Sequence, residues 1–179
     1  MTNEIRLIDK TFVPYLRENE LLERIGEIAG QIRSDYGTEN VLFLSVLNGA
    51  FMFTSDLMKC LDGEVELSFI KLSSYDGVES TGKVYELIGL NQNVQGKHII
   101  VIEDIVDTGL TIERVINMLE LQNPLSVEVC TLLYKPEAFK GNEAPKYFGF
   151  EIPNKFVVGY GLDYNQLGRN FKEIYQLKE

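Results

Sequence analysis

Tryptophan is absent from this 179-residue chain, histidine occurs once, and cysteine only twice. With one histidine and no Cys-x-x-Cys pair, the side chains for a structural zinc site are not there. His98 opens an apolar run and reads as a strand-edge residue, which leaves no base for a Ser-His-Asp triad. Cys60 and Cys130 stand far apart in apolar surroundings and read as small buried thiols rather than as a disulfide or a nucleophile. No apolar run approaches the ~20 residues of a membrane span. Met1 to Arg6 has no basic start leading into an apolar stretch, so it does not read as a signal peptide. Basic residues are also short: 17 Lys+Arg against 27 Asp+Glu give a formal charge of −10. That balance argues against a general nucleic-acid binder and against docking on an anionic membrane. It leaves room for a small anionic substrate, because one site can differ from the whole surface. The expectation is a cytoplasmic protein without nucleic-acid or membrane partners.

What is present is ordinary for a folded domain. Hydrophobic residues make up 45% and charged residues 25% of the chain, and the length suits one domain over residues 1–179. Over 18–35, Leu21, Leu22, Ile25, Ile28, Ala29 and Ile32 recur at helical spacing, and Gly37 is a plausible stop. The nearly all-apolar run Val41 to Leu47 predicts a strand covered on both faces, broken by Asn48-Gly49 and followed by a helix over 50–61. Further strands are expected at 64–74, at His98 to Ile102, at 126–134 and, shorter, at 155–160, with a helix from Thr111 to near Asn123-Pro124. Residues 75–84, polar and with two glycines, read as a mobile loop. The strand–helix alternation predicts an α/β fold with a mainly parallel sheet flanked by helices. Such sheets bind ligands at the carboxyl ends of their strands. The site is therefore expected just after 47, 102, 134 and 158, with a small hood from the N-terminal segment and about 145–179 over those ends.

The densest chemical signal is Val101 to Thr111, VIEDIVDTGLT. An apolar strand meets two adjacent acids, Glu103 and Asp104. A third acid, Asp107, follows, then Thr-Gly-x-Thr and a helix. Amides at a helix N-terminus cradle phosphate, Gly109 allows close approach of the backbone, and Thr108 and Thr111 add hydroxyls, either of which could cap the helix. Glu103 and Asp104 suit a sugar diol, and Asp107 suits a general base. Acids also gather at helix starts for the macrodipole alone, but three acids, two threonines and a glycine at one strand end exceed that need. Other site types fit less well. There is no Gly-x-x-x-x-Gly-Lys-Ser/Thr loop, Gly159-Tyr160-Gly161 lacks the third glycine of a dinucleotide fingerprint, and a phosphoryl-accepting aspartate would leave Thr-Gly-x-Thr without a role.

VIEDIVDTGLT resembles the phosphoribosyl-pyrophosphate motif of type I phosphoribosyltransferases. Leu132-Leu133-Tyr134-Lys135 resembles the strand-end lysine of the 6-oxopurine branch of that family, and 149–165 (GFEIPNKFVVGYGLDYN) resembles its purine-binding hood. Leu47-Asn48-Gly49-Ala50 resembles its pyrophosphate loop and Ser74-Tyr75 its lid. The resemblance runs from about 41 to 170 in the family's order. It implies Mg²⁺-dependent purine salvage, in which a 6-oxopurine, hypoxanthine and also guanine, joins C1 of phosphoribosyl pyrophosphate and pyrophosphate leaves. By resemblance Glu103 and Asp104 hold the ribose hydroxyls, and Asp107, Thr108, Gly109, Leu110 and Thr111 bind the 5-phosphate. Asp107 also takes the proton of purine N7. Leu47, Asn48, Gly49 and Arg169 bind pyrophosphate, and Ser74 and Tyr75 close the site. Lys135 selects the 6-oxo group, Phe156 stacks on the purine, and Val157 reads its edge through the backbone. Asp163 joins the shell of a Mg²⁺ held mainly by substrate oxygens, with Glu103 and Asp104 reaching it through substrate hydroxyls or water. A homodimer or homotetramer and a cis peptide at Leu47–Asn48 are also implied. Asn48 stands where many relatives have lysine, and Leu110 where some have a basic or small polar residue. A xanthine-preferring relative and a nucleotide-sensing regulator of the same fold are the alternatives; the regulator would want a basic RNA-binding face.

Overall fold

The computed structural model describes residues 4–37, 39–73, 85–88, 90 and 92–178. The central sheet has six strands in the order β5-β4-β3-β6-β7-β8. Its members are β3 (Val41–Val46), β4 (Glu66–Ser73), β5 (Tyr85–Ile88), β6 (His98–Val106), β7 (Ser126–Tyr134) and β8 (Tyr147–Glu151). Five of these strands run parallel, and β5 is added antiparallel at one edge. A second, four-stranded antiparallel sheet has the order β1-β2-β10-β9. It is built from β1 (Ile5–Leu7), β2 (Lys10–Leu16), β9 (Val157–Val158) and β10 (Ile174–Leu177).

Period-two alternation assigns the two faces of the central sheet. Phe43, Ile100, Ile102, Cys130 and Leu132 point to one face, where α1 (Glu18–Tyr36) brings Leu21, Ile25, Ile28 and Ile32 and α2 (Phe51–Lys59) brings Phe53 and Leu57. Leu42, Leu44, Val46, Ile99 and Val101 point to the other, against Ile112, Val115 and Leu119 of α3 (Leu110–Glu120). The near-continuous apolar runs of β3 and β6 are thus buried on both sides, as parallel strands are. α1 ends at Gly37, whose φ of +56° breaks the helix while its N–H donates to Arg33 O at 2.9 Å. The edge strand β8 is closed off by Arg24 of α1, which donates from Nε to Gly149 O at 2.8 Å and from Nη2 to Phe148 O at 3.0 Å.

Several boundaries differ from the sequence reading. β6 continues to Val106, so Glu103 and Asp104 stand within the strand, with Glu103 in register with Thr131. Main-chain pairing to β7 carries the strand through its acids, which no propensity would suggest. The hood also begins later than residue 145. Tyr147–Glu151 pairs parallel with β7 in the central sheet, and the second sheet takes residues 5–16 and the chain after 156. Strand 155–160 shortens to Val157–Val158, because Gly159, Tyr160 and Gly161 all take positive φ. Both thiols are free, and burial pushes Cys130 well above the usual thiol range. His98 opens β6, as expected, and its Nδ1 shares a hydrogen bond with Ser126 Oγ at 2.7 Å. Among the described residues no helix is long and apolar enough to cross a membrane.

Candidate active site

The carboxyl ends of β3, β6 and β7 lie side by side, and the segments leaving them form the site. From β6, Asp107 precedes α3. From β7, the next residue is Lys135, whose N–H donates to Val106 O at 3.0 Å. That register brings Lys135 Nζ to Asp107 Oδ2 at 2.9 Å. The lysine side chain is only 8% exposed and the aspartate 43%, so a buried ammonium is neutralised by a half-open carboxylate. An acceptor that can take a proton and a donor that can select an acceptor oxygen therefore face one space.

The phosphate loop is shaped by Gly109, at φ +84°. A Cβ there would lie 2.6 Å from the Phe139 ring, which packs against the loop from behind, and Lys140 N donates to Thr108 O at 3.2 Å. Neither Thr108 nor Thr111 caps α3: no side-chain bond closes its N-terminus, contrary to what the threonines suggest. The first-turn amides are thereby left for an anion. Leu110 is 51% exposed, so its amide is the useful part. Behind the loop, between α3, β7 and residues 139–146, lies a cavity of about 550 Å³. Its lining includes none of Lys135, residues 149–165, Glu103 and Asp104.

Glu103 and Asp104 form the floor. Burial pushes the Glu103 carboxyl well above the ordinary range, and the neighbouring Asp104 pushes the same way. Its Oε2 has no partner among the described residues. Burial raises Asp104 too, opposed by its bonds to Glu103 and to the backbone and by the Arg169 charge. Ile105 N donates to Asp104 Oδ1 at 2.8 Å. Against this floor the chain stacks two glycines. A Cβ on Gly49 would run into the Asp104 carboxylate, and a Cβ on Gly161, at φ +100°, would run into Gly49 O. The pyrophosphate-loop candidate and the hood thus rest directly on the acids. The Leu47–Asn48 peptide is cis, as the resemblance implied.

Arg169 ties the hood together. It donates from Nη1 to Gly161 O at 2.8 Å and pairs with Asp163 at 2.5 Å. Gln166 N donates to the other Asp163 oxygen at 2.7 Å. Phe156 is 43% exposed, and Val157 is buried in β9, the edge strand of the second sheet. One side of β9 pairs with β10; as an edge strand it has a main-chain edge that no further strand of its sheet takes up. Ser74 and Tyr75 lie outside the described residues.

The structure joins Gly49, Asp104, Gly161, Arg169 and Asp163 in one chain of contacts, and Asp107 with Lys135 in a second. Sequence reasoning missed Gly161 as a packing residue. It also missed Phe139, which sits in a polar loop with no periodicity, and Tyr160, whose Oη donates to Asp56 of α2 at 2.5 Å. The Gly-Tyr-Gly pattern was the only available signal for two of them.

An acid floor, an uncapped helix start and an aromatic segment come together at the ends of parallel strands. Residues 15–165 match the phosphoribosyl transferase domain family, and the chain belongs to that family. It is 39% identical over 163 residues to the hypoxanthine-guanine-xanthine phosphoribosyltransferase of Tritrichomonas foetus, covering 90% of this chain and 89% of the relative. It is 36% identical over 166 residues to the hypoxanthine-guanine phosphoribosyltransferase of Aquifex aeolicus, covering 92% and 93%. A crystal structure of a hypoxanthine-guanine phosphoribosyltransferase from Bacillus anthracis superposes with a TM-score of 0.86 at 36% identity, over 98% of this chain and 99% of that one.

Proposed function

We propose that this enzyme is a purine-salvage phosphoribosyltransferase that joins hypoxanthine or guanine to C1 of phosphoribosyl pyrophosphate, releasing pyrophosphate. The observation that carries this reading is the Asp107–Lys135 pair at 2.9 Å, which joins the start of the loop before α3 to the end of β7. A 6-oxopurine offers both groups what they lack. Its O6 accepts from Lys135, and its N7–H is given up to Asp107 as the bond to C1 forms. An amino group at that position would meet an ammonium that can only donate, so adenine is disfavoured.

Positive charge develops at C1 as pyrophosphate departs. Glu103 and Asp104 accept from the ribose hydroxyls and hold the sugar over the acid floor. Amides of Thr108 to Thr111 hold the 5-phosphate. Gly49, Asn48 and Arg169 take the leaving group through backbone amides, the Asn side chain and one guanidinium, since Asn48 brings no charge. Phe156 stacks on the base and the Val157 backbone reads its edge. Ser74 and Tyr75 belong to the segment that closes over the reaction.

The residues fit a Mg²⁺ held mainly by substrate oxygens. No group of three or more potential ligands is assembled among the described residues, yet the buried Glu103–Asp104 pair with its unpartnered oxygen and the carboxylate of Asp163 offer oxygen donors to such an ion. When bound, the ion would neutralise pyrophosphate charge; Asp163 would join its shell, and Glu103 and Asp104 would reach it through substrate hydroxyls or water. The free thiols fit a reducing cytoplasm. Exposed Phe51 and Phe69 are candidates for a homodimer or homotetramer contact.

The test is turnover. Purified protein with phosphoribosyl pyrophosphate and Mg²⁺ is expected to convert hypoxanthine and guanine to their nucleotides with stoichiometric pyrophosphate. Nucleotide binding without turnover on hypoxanthine, guanine or xanthine would overturn the catalytic reading, and turnover of xanthine alone would overturn the substrate assignment.

A further inference from the structure

We infer that Lys10, the first residue of β2, is a positioning residue that sets base affinity by fixing and polarising the ring of Phe156. The inference rests on the reading that Phe156 stacks on the purine. Three groups hold this ring. Phe12 lies with its centroid 6.2 Å away, Tyr164 packs edge-on at 5.9 Å, and Lys10 Nζ stands over the ring at 5.6 Å. Lys10 and Phe12 are two apart on β2 and so share a face, which brings both onto Phe156. The same ammonium is 4.8 Å from the Tyr164 centroid, and Tyr164 Oη donates to Asp9 Oδ1 at 2.8 Å. Lys10 therefore touches both aromatic rings from the start of β2, and Asp9, in the turn before it, fixes Tyr164.

This arrangement has two physical consequences. The ring is locked before the base arrives, so less side-chain freedom is lost on binding. A cation over the ring also draws its π electrons toward itself. The face away from the ammonium is then less negative and better suited to stack on an electron-rich purine, and Phe156 is 43% exposed. Neither consequence touches the phosphoribosyl half of the site.

The experiment is steady-state kinetics on Lys10→Met, Lys10→Arg and Phe156→Leu, with hypoxanthine and guanine varied at saturating phosphoribosyl pyrophosphate and the reverse. Lys10→Met is expected to raise the KM for both bases by about 2–10-fold, with kcat and the KM for phosphoribosyl pyrophosphate within twofold, and Lys10→Arg to restore it. If Phe156→Leu raises the base KM and Lys10→Met does not, the inference is wrong while the stacking reading stands. If Phe156→Leu leaves the base KM unchanged, the stacking reading fails and this inference with it. Equal losses in Lys10→Met and Lys10→Arg would assign the effect to packing and overturn the role of charge.

Discussion

Replacing Glu103 by Gln tests whether the acid floor is held at a cost to stability. In the unfolded chain a glutamate ionises at about 4.3. In the fold, burial and Asp104 push Glu103 well above that, and one of its oxygens has no partner. The sign follows from proton counts. Below pH 4.3 both states are protonated and folding gains nothing from the shift. Above it the unfolded chain releases a proton that the folded chain retains, so stability falls by about 1.4 kcal/mol per pH unit until the folded value is reached. Glutamine does not ionise and escapes this loss. The variant should match the parent near pH 4 and gain on it as pH rises above 4.3, by up to about 1.4 kcal/mol per pH unit until the folded group ionises. Differential scanning calorimetry of substrate-free protein across that range measures it. A loss at the upper pH, or the same difference at both ends, would refute the argument. Activity should move the other way. A carboxyl group that holds the ribose hydroxyls is gone, and kcat/KM should fall by roughly 10–100-fold.

Asp107→Asn keeps the shape and removes the base, so kcat should drop by roughly 10²–10⁴ while nucleotide product still binds; an unchanged rate would remove Asp107 from that role. Lys135→Ala should weaken base use far more than phosphoribosyl pyrophosphate binding, and equal losses in competition assays would point instead to a general field effect. Gly161→Ala places a Cβ against Gly49 O at a φ of +100°, so it should destabilise the protein by about 1–3 kcal/mol and raise the KM for phosphoribosyl pyrophosphate more than that for the base. Tyr160→Phe deletes the bond to Asp56 while Lys59 still pairs with that acid; calorimetry should show a loss of about 1 kcal/mol with little kinetic change.

Much of the scaffold was legible because burial on two faces leaves a strong local signature. VLFLSVL and HIIVI have few polar residues to accommodate, and the alternation with helical periods implies a parallel sheet. The acid–Thr–Gly run at Glu103 to Thr111 was legible for the same kind of reason: several chemically demanding residues crowd one strand end. The extension of β6 through Glu103 and Asp104 was not, because it depends on main-chain bonds to β7, a partner 20 or more residues away. β8 was assigned to the hood on its aromatic composition. Its place in the central sheet is settled by pairing with β7 and by the two Arg24 bonds from α1.

The sequence alone determined which chemical groups exist and in what order: three acids, a phosphate-binding turn, a lysine after an apolar strand, an aromatic hood, and too little basic charge for a polyanion partner. Those are properties of residue type and short spacing. Only the tertiary structure decided which groups meet. Asp107 and Lys135 are 28 positions apart and become an ion pair because their strands are hydrogen-bonded neighbours in one register. Gly49 and Gly161 carry no chemistry of their own. They are needed because the pyrophosphate loop, the hood and Asp104 converge until a single methyl group no longer fits. Side-chain identity is local information, whereas close approach is a sum over the whole fold.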